Sequence, residues 1–183
     1  SEVEKLEEEV ERLVRDSERL NKRLEDRVKK LVEDSERLVR ELEKTVRDLV
    51  KKLKDDVRRR PGEDLDKIVR KVVREAEELL KEVKKSSEDV ADTLRRLLEE
   101  SKKSSKRVAE EARRLLEELK RVDDERIIRR IRKEIKDLFD DDKRISEEVE
   151  RRIERLFKED KKIIEDVERE IRRLIKEVED RIR

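Results

Sequence analysis

The stretch LVRDSERL at 13–20 returns as LVEDSERL at 31–38. KKSS at 84–87 returns at 102–105, and RRLL at 95–98 returns at 113–116. LFDDDKRIS at 138–146 has its counterpart in LFKEDKKII at 156–164. Every offset is 18 residues, or five α-helical turns at about 3.6 residues per turn. A heptad seam drifts by about 20° per repeat and imposes a supercoil, whereas an 18-residue seam keeps its face. The repeat therefore predicts long, nearly straight helices.

Two breaks cut the repeat. Arg60-Pro61-Gly62-Glu63-Asp64 joins the only Pro to the only Gly, a strong turn signal. Arg121-Val122-Asp123-Asp124-Glu125 is weaker, and Asp123 or Asp124 can cap a new helix there. Ser1 and Glu4 have capping-box spacing. Three segments result, roughly 2–60, 64–121 and 124–182. Phe139-Asp140-Asp141-Asp142-Lys143 has a loop-like composition. The apolar arc of the third segment runs through it, with Asp140 and Asp141 on the polar side, so an unbroken helix is expected there.

At about 100° per residue each segment has one apolar arc. Leu6, Val10, Leu13, Val14, Leu20 and Leu24 start the first, which is roughly 120° wide. Leu65, Val69, Val72, Leu79 and Leu80 begin the second, and Ile127, Ile131, Ile135, Leu138 and Phe139 the third. Arcs of this width suit helices with two neighbours. The short breaks make consecutive helices antiparallel. The expected fold is all-α: one up-down-up three-helix bundle domain over 1–183, about 85–90 Å long at 1.5 Å rise per residue.

Composition excludes several functions. Charged residues make up 61% of the 183, yet Lys and Arg total 56 against 55 Asp and Glu, a net charge of +1. That balance, with only two aromatic residues, argues against nucleic-acid binding. The absence of Cys and His removes thiolate and imidazole metal sites and the Ser-His and Cys-His nucleophile pairs. It also leaves the redox compartment unreadable. One glycine rules out phosphate-cradling glycine loops. No apolar run is long enough to span a membrane, and Ser1-Glu2-Val3-Glu4-Lys5 does not read as a signal peptide. No enzymatic activity, cofactor or small-molecule substrate is expected.

Polar residues inside the arcs are the informative exceptions. Of nine serines, all but Ser1 fall on or beside an apolar arc. Ser17 and Ser35 centre the first arc. Ser87, Ser101 and Ser105 lie within the second, with Ser86 and Ser104 at its margin. Asp142 and Asp160 centre the third, where the next repeat has Val178. Asn21 and Ser146 also sit on arcs. Antiparallel folding brings Ser35 near Ser87 and Ser17 near Ser105. It pairs Asp160 with Ser86 and Asp142 with Ser104, while Asn21, Ser101 and Ser146 share a third level. A buried unpaired polar atom costs about 1–3 kcal/mol. Two Ser–Ser–Asp layers and one Asn–Ser–Ser layer are therefore expected as buried hydrogen-bond networks, and Ser35→Val is expected to destabilise by leaving Asp160 short of a donor.

A catalytic reading of the same residues fails on chemistry. Ser beside Asp lacks the base that activates a hydroxyl. Asp142 and Asp160 lie about 27 Å apart along one helix, too far to work as a carboxylate pair. A cation site is poorly supplied, since Ca²⁺ takes about 6–8 oxygen ligands and usually several carboxylates.

The 18-residue seam, the RPGED connector, a surface of Arg, Lys, Glu and Asp without Gln, Met, His or Trp, and the layered Ser/Asn/Asp core together resemble de novo designed helical bundles. The resemblance is to the computationally designed straight bundles that carry buried hydrogen-bond networks. It covers the whole chain in style and implies high stability and a scaffold role with no natural substrate. Asp in the core departs from that family's usual Asn, Gln, Ser or Thr, and leaves room for a ligand or switch purpose. A monomeric scaffold is the leading expectation. The alternative is an assembly module, forming a homo-oligomer or binding a partner helix, with Ala76, Ala91, Ala109 and Ala112 allowing close approach of a further helix.

Overall fold

The computed structural model describes residues 1–60 and 62–182. Three helices fill them: α1 over Glu2–Arg59, α2 over Glu63–Leu119 and α3 over Glu125–Ile182. They pack against one another as a three-helix bundle, and no strand occurs among the described residues. Leu, Glu, Lys and Arg, all strong helix formers, make up most of each helix. The triple aspartate at 140–142 does not interrupt α3.

Local chemistry sets the ends. Ser1 Oγ accepts from the Glu4 amide at 3.3 Å, an N-cap bond to the third helical residue. Arg58 and Arg59 supply positive charge at the C-terminal turn of α1, where the helix dipole favours it. Pro61, part of the expected first break, lies outside the described residues. Gly62 O accepts from Asp66 N at 3.0 Å as α2 begins. At the second break the expected bounds shift slightly. Val122 N turns back to Leu119 O at 3.1 Å, a tightened last turn that ends α2 at Leu119. Asp124 is the cap of α3: its Oδ1 accepts from Arg126 N at 2.9 Å, and its carbonyl from Ile127 and Ile128.

Contacts divide the chain into two compact units, each holding part of every helix. The first comprises Ser1–Lys30 and Thr93–Glu154, the second Leu31–Asp92 and Arg155–Arg183. The first has a core of Leu6, Val10 and Val14 from α1, Ala109, Ala112, Leu115, Leu116 and Leu119 from α2, and Ile131, Ile135 and Phe139 from α3. The core of the second includes Leu42, Val46 and Leu53, Val69, Val73 and Val83, and Ile164, Ile171 and Val178. Ala76, Ala109 and Ala112 are buried in these cores, and Ala91 is half-buried.

Candidate functional site

Three helices contribute to each buried polar cluster, and the 18-residue repeat is the reason. In the second unit Ser35, Ser87 and Asp160 meet. Ser35 Oγ donates to Asp160 Oδ2 at 2.7 Å. Ser87 Oγ shares one proton between Oδ1 at 3.1 Å and Oδ2 at 3.3 Å. Asp160 is 1% exposed. The expected partner Ser86 is displaced from this role. It is half-buried, and among the described residues it makes no hydrogen bond to Asp160. Its counterpart Ser104 does bond the first unit's carboxylate, so the roughly 100° between adjacent helix residues does not by itself exclude Ser86, and the difference lies between the two units.

The equivalent carboxylate of the first unit has one more donor. Asp142, 3% exposed, accepts from Ser17 Oγ at 2.9 Å on Oδ2 and from Ser104 Oγ at 2.8 Å on Oδ1. Ser105 Oγ bridges both oxygens at 3.1 and 3.0 Å. Ser17 and Ser104 are half-buried, whereas Ser105 is buried. Three hydroxyls thus cover the approximately four acceptor directions of a carboxylate.

One helical turn away, Asn21, Ser101 and Ser146 form the neighbouring level, and the two levels are joined. Asn21 Nδ2 donates to Ser105 Oγ at 2.7 Å. Ser101 Oγ donates to Asn21 Oδ1 at 2.6 Å. Ser146 Oγ lies 3.0 Å from Ser101 Oγ. Ser101 has already given its only proton to Asn21, so Ser146 must be the donor. A carboxylate only accepts, so Ser105 donates to Asp142, and its lone pair is what Asn21 meets. That fixes the Asn21 amide orientation. The protons run one way, from Ser146 through Ser101, Asn21 and Ser105 to Asp142. In such a chain each bond polarises the next.

The link was readable in principle. Ser17 and Asn21, Ser101 and Ser105, and Asp142 and Ser146 are each four residues apart, hence neighbours on one helix face. Treating levels as separate hid it.

Charged side chains also tie the helices together. Arg27 donates to Glu154 through Nε at 2.5 Å and Nη2 at 3.0 Å. The hydrogen bond and charge of Arg27 hold the Glu154 carboxyl below its ordinary 4.5, against the opposing effect of burial. Three acids of α1 reach bases of α2: Glu7 with Lys120 at 3.5 Å, Glu11 with Arg113 at 3.2 Å, Glu25 with Lys102 at 3.4 Å. The second unit repeats this with Glu43 and Lys84 at 2.7 Å. Composition gave no hint of these partners, though the four α1–α2 pairs sit at nearly the same reflection about the first break.

Among the described residues no cluster of three or more His, Cys, Asp or Glu is placed to hold a metal ion. No described helix is long and apolar enough to cross a membrane. No protein-family model, curated protein or solved structure matches the chain.

Proposed function

We propose that the chain is a designed structural scaffold without enzymatic activity, whose buried Ser, Asn and Asp side chains set helix register. One observation carries this reading. Among the described residues, every buried side-chain nitrogen or oxygen has a hydrogen-bond partner. A nucleophile or general base must offer a lone pair or proton to a substrate. Here the buried hydroxyls already donate to carboxylates, to Asn21 or to one another. A displaced register would strand these groups, and that penalty is how a polar layer selects one packing.

A single-chain state fits the surface. Among the described residues the exposed large hydrophobics are Ile145 and Ile163, each 42% exposed. Two such side chains supply little of the roughly 800 Å² per partner that a stable interface buries. The test is light scattering with a broad hydrolase and esterase screen. A mass of 22.4 kDa and no turnover are expected. Twice that mass would overturn the single-chain reading and make assembly the function. Turnover abolished by Asp142→Asn would overturn the non-enzymatic one.

A further inference from the structure

The repeat carries Leu13, Ser17, Leu20 and Asp142 onto Leu31, Ser35, Leu38 and Asp160, but burial differs between the two sets. In the second unit Leu31 and Ser35 are buried; the two carboxylates are both buried. In the first, Leu13 and Ser17 are only half-buried. A groove of about 490 Å³ opens there between α1 and α3, within the usual range of small-ligand sites, about 300–1,000 Å³.

Leu13, Leu20 and Phe139 give this groove apolar walls, and Ser17 and Asp142 form its polar floor. At the rim Asp16, Asp140, Glu147 and Glu150 outnumber Arg23 and Lys143. Ser17 Oγ uses its proton on Asp142 and retains its lone pairs. No hydrogen bond to Ser17 Oγ occurs among the described residues. The hydroxyl is therefore an acceptor polarised by the carboxylate behind it. Asp142 itself is met by hydroxyl groups, with no basic side chain bonded to it among the described residues.

We infer that this groove binds a small organic ammonium ion with an apolar body. An ammonium N–H donates to Ser17 Oγ, placing positive charge one hydroxyl away from Asp142. The body lies against Leu13, Leu20 and Phe139. The acidic rim favours cations and repels anions. In the second unit the counterpart of the acidic rim residue Asp140 is Lys158, and the counterparts of the half-buried Leu13 and Ser17 are buried.

Three probes with the same ring separate charge from greasiness: phenethylammonium, phenethyl alcohol and phenylacetate. Each is titrated into the full chain at low ionic strength, with the methyl resonances of Leu13, Leu20 and Leu38 followed by NMR. Phenethylammonium is expected to shift Leu13 and Leu20 saturably, with Kd on the order of 1 mM for so small a ligand. The alcohol should bind about tenfold more weakly, the worth of one hydrogen bond from a charged group, and phenylacetate not at all. Ser17→Ala should weaken the ammonium about tenfold for the same reason. Leu13→Trp, which fills the groove and leaves the polar floor intact, should abolish binding. Equal response to alcohol and ammonium, no saturation, a Ser17→Ala variant that binds normally, or Leu38 shifting as much as Leu13 would each overturn the assignment.

Discussion

The two units meet the same problem, a carboxylate inside a helical bundle, with different surroundings. Step one helical turn from Ser35, Ser87 and Asp160 and the second unit offers Val83 and Ile164 in its apolar core, with the half-buried Val39 packed against it. The same step from Ser17, Ser105 and Asp142 leads to Asn21, Ser101 and Ser146. One unit holds its carboxylate with two hydroxyls beside an apolar level. The other surrounds it with three hydroxyls and extends the polar cluster by a turn. A further repeat along, Leu53, Val69 and Val178 occupy the carboxylate level with no polar atoms, all buried. The backbone thus accepts either chemistry at equivalent positions. A mixed level that leaves one polar group alone is expected to be penalised by about 1–3 kcal/mol.

The largest effect should follow from stranding the carboxylate with fewer donors. Ser35→Val removes one of the two donors to Asp160 among the described residues and should destabilise by about 3 kcal/mol, because the group left short is a carboxylate. Ser101→Val should come next, at about 2 kcal/mol, since Asn21 Oδ1 loses its donor and Ser146 its acceptor. Ser17→Val should cost about 1 kcal/mol or less, because Ser104 and Ser105 remain on Asp142 and water can reach the half-buried position. Guanidinium unfolding of the three variants checks this order. Equal losses for Ser35→Val and Ser17→Val would erase the distinction between the carboxylate with two donors and the one with three.

How much of this was legible in the sequence follows from what repeats and what does not. Helix count and pairing direction were readable, because an 18-residue offset and two breaks leave few alternatives. Asp142 inside an unbroken helix was readable too, since the arc runs straight through 139–143. The choice of Ser87 over Ser86 was not, because a reflection about a break is uncertain by a residue and adjacent residues point about 100° apart. The half-exposure of Ser17 against the burial of Ser35 was not readable either. LVRDSERL and LVEDSERL are nearly the same string, and the difference comes from what the other two helices place around them.

The smallest expected effect concerns acid. Arg27 lowers the folded-state value of Glu154, so the pair's contribution is full above the ordinary 4.5 and is lost as pH falls through the depressed value. Both partners are substantially solvated, and the contribution should stay within about 0.2–1 kcal/mol. Unfolding at neutral pH and near pH 3 should show a smaller acid loss in Glu154→Gln than in the parent. The same loss in both would mean that Arg27 does not favour the charged form.

Asn21, Ser101 and Ser146 should be replaceable by apolar side chains only together, although Asn21 also donates to Ser105 of the neighbouring level. The direct test converts all three to their counterparts, Asn21→Val, Ser101→Val and Ser146→Ile together, and compares the triple variant with Ser101→Val alone by guanidinium unfolding. The single variant should lose about 2 kcal/mol. The triple variant should recover most of that loss or exceed the parent, because no polar group at that level is left without a partner and Ser105 still donates to Asp142. A triple variant as unstable as the single one, or less stable, would contradict the claim.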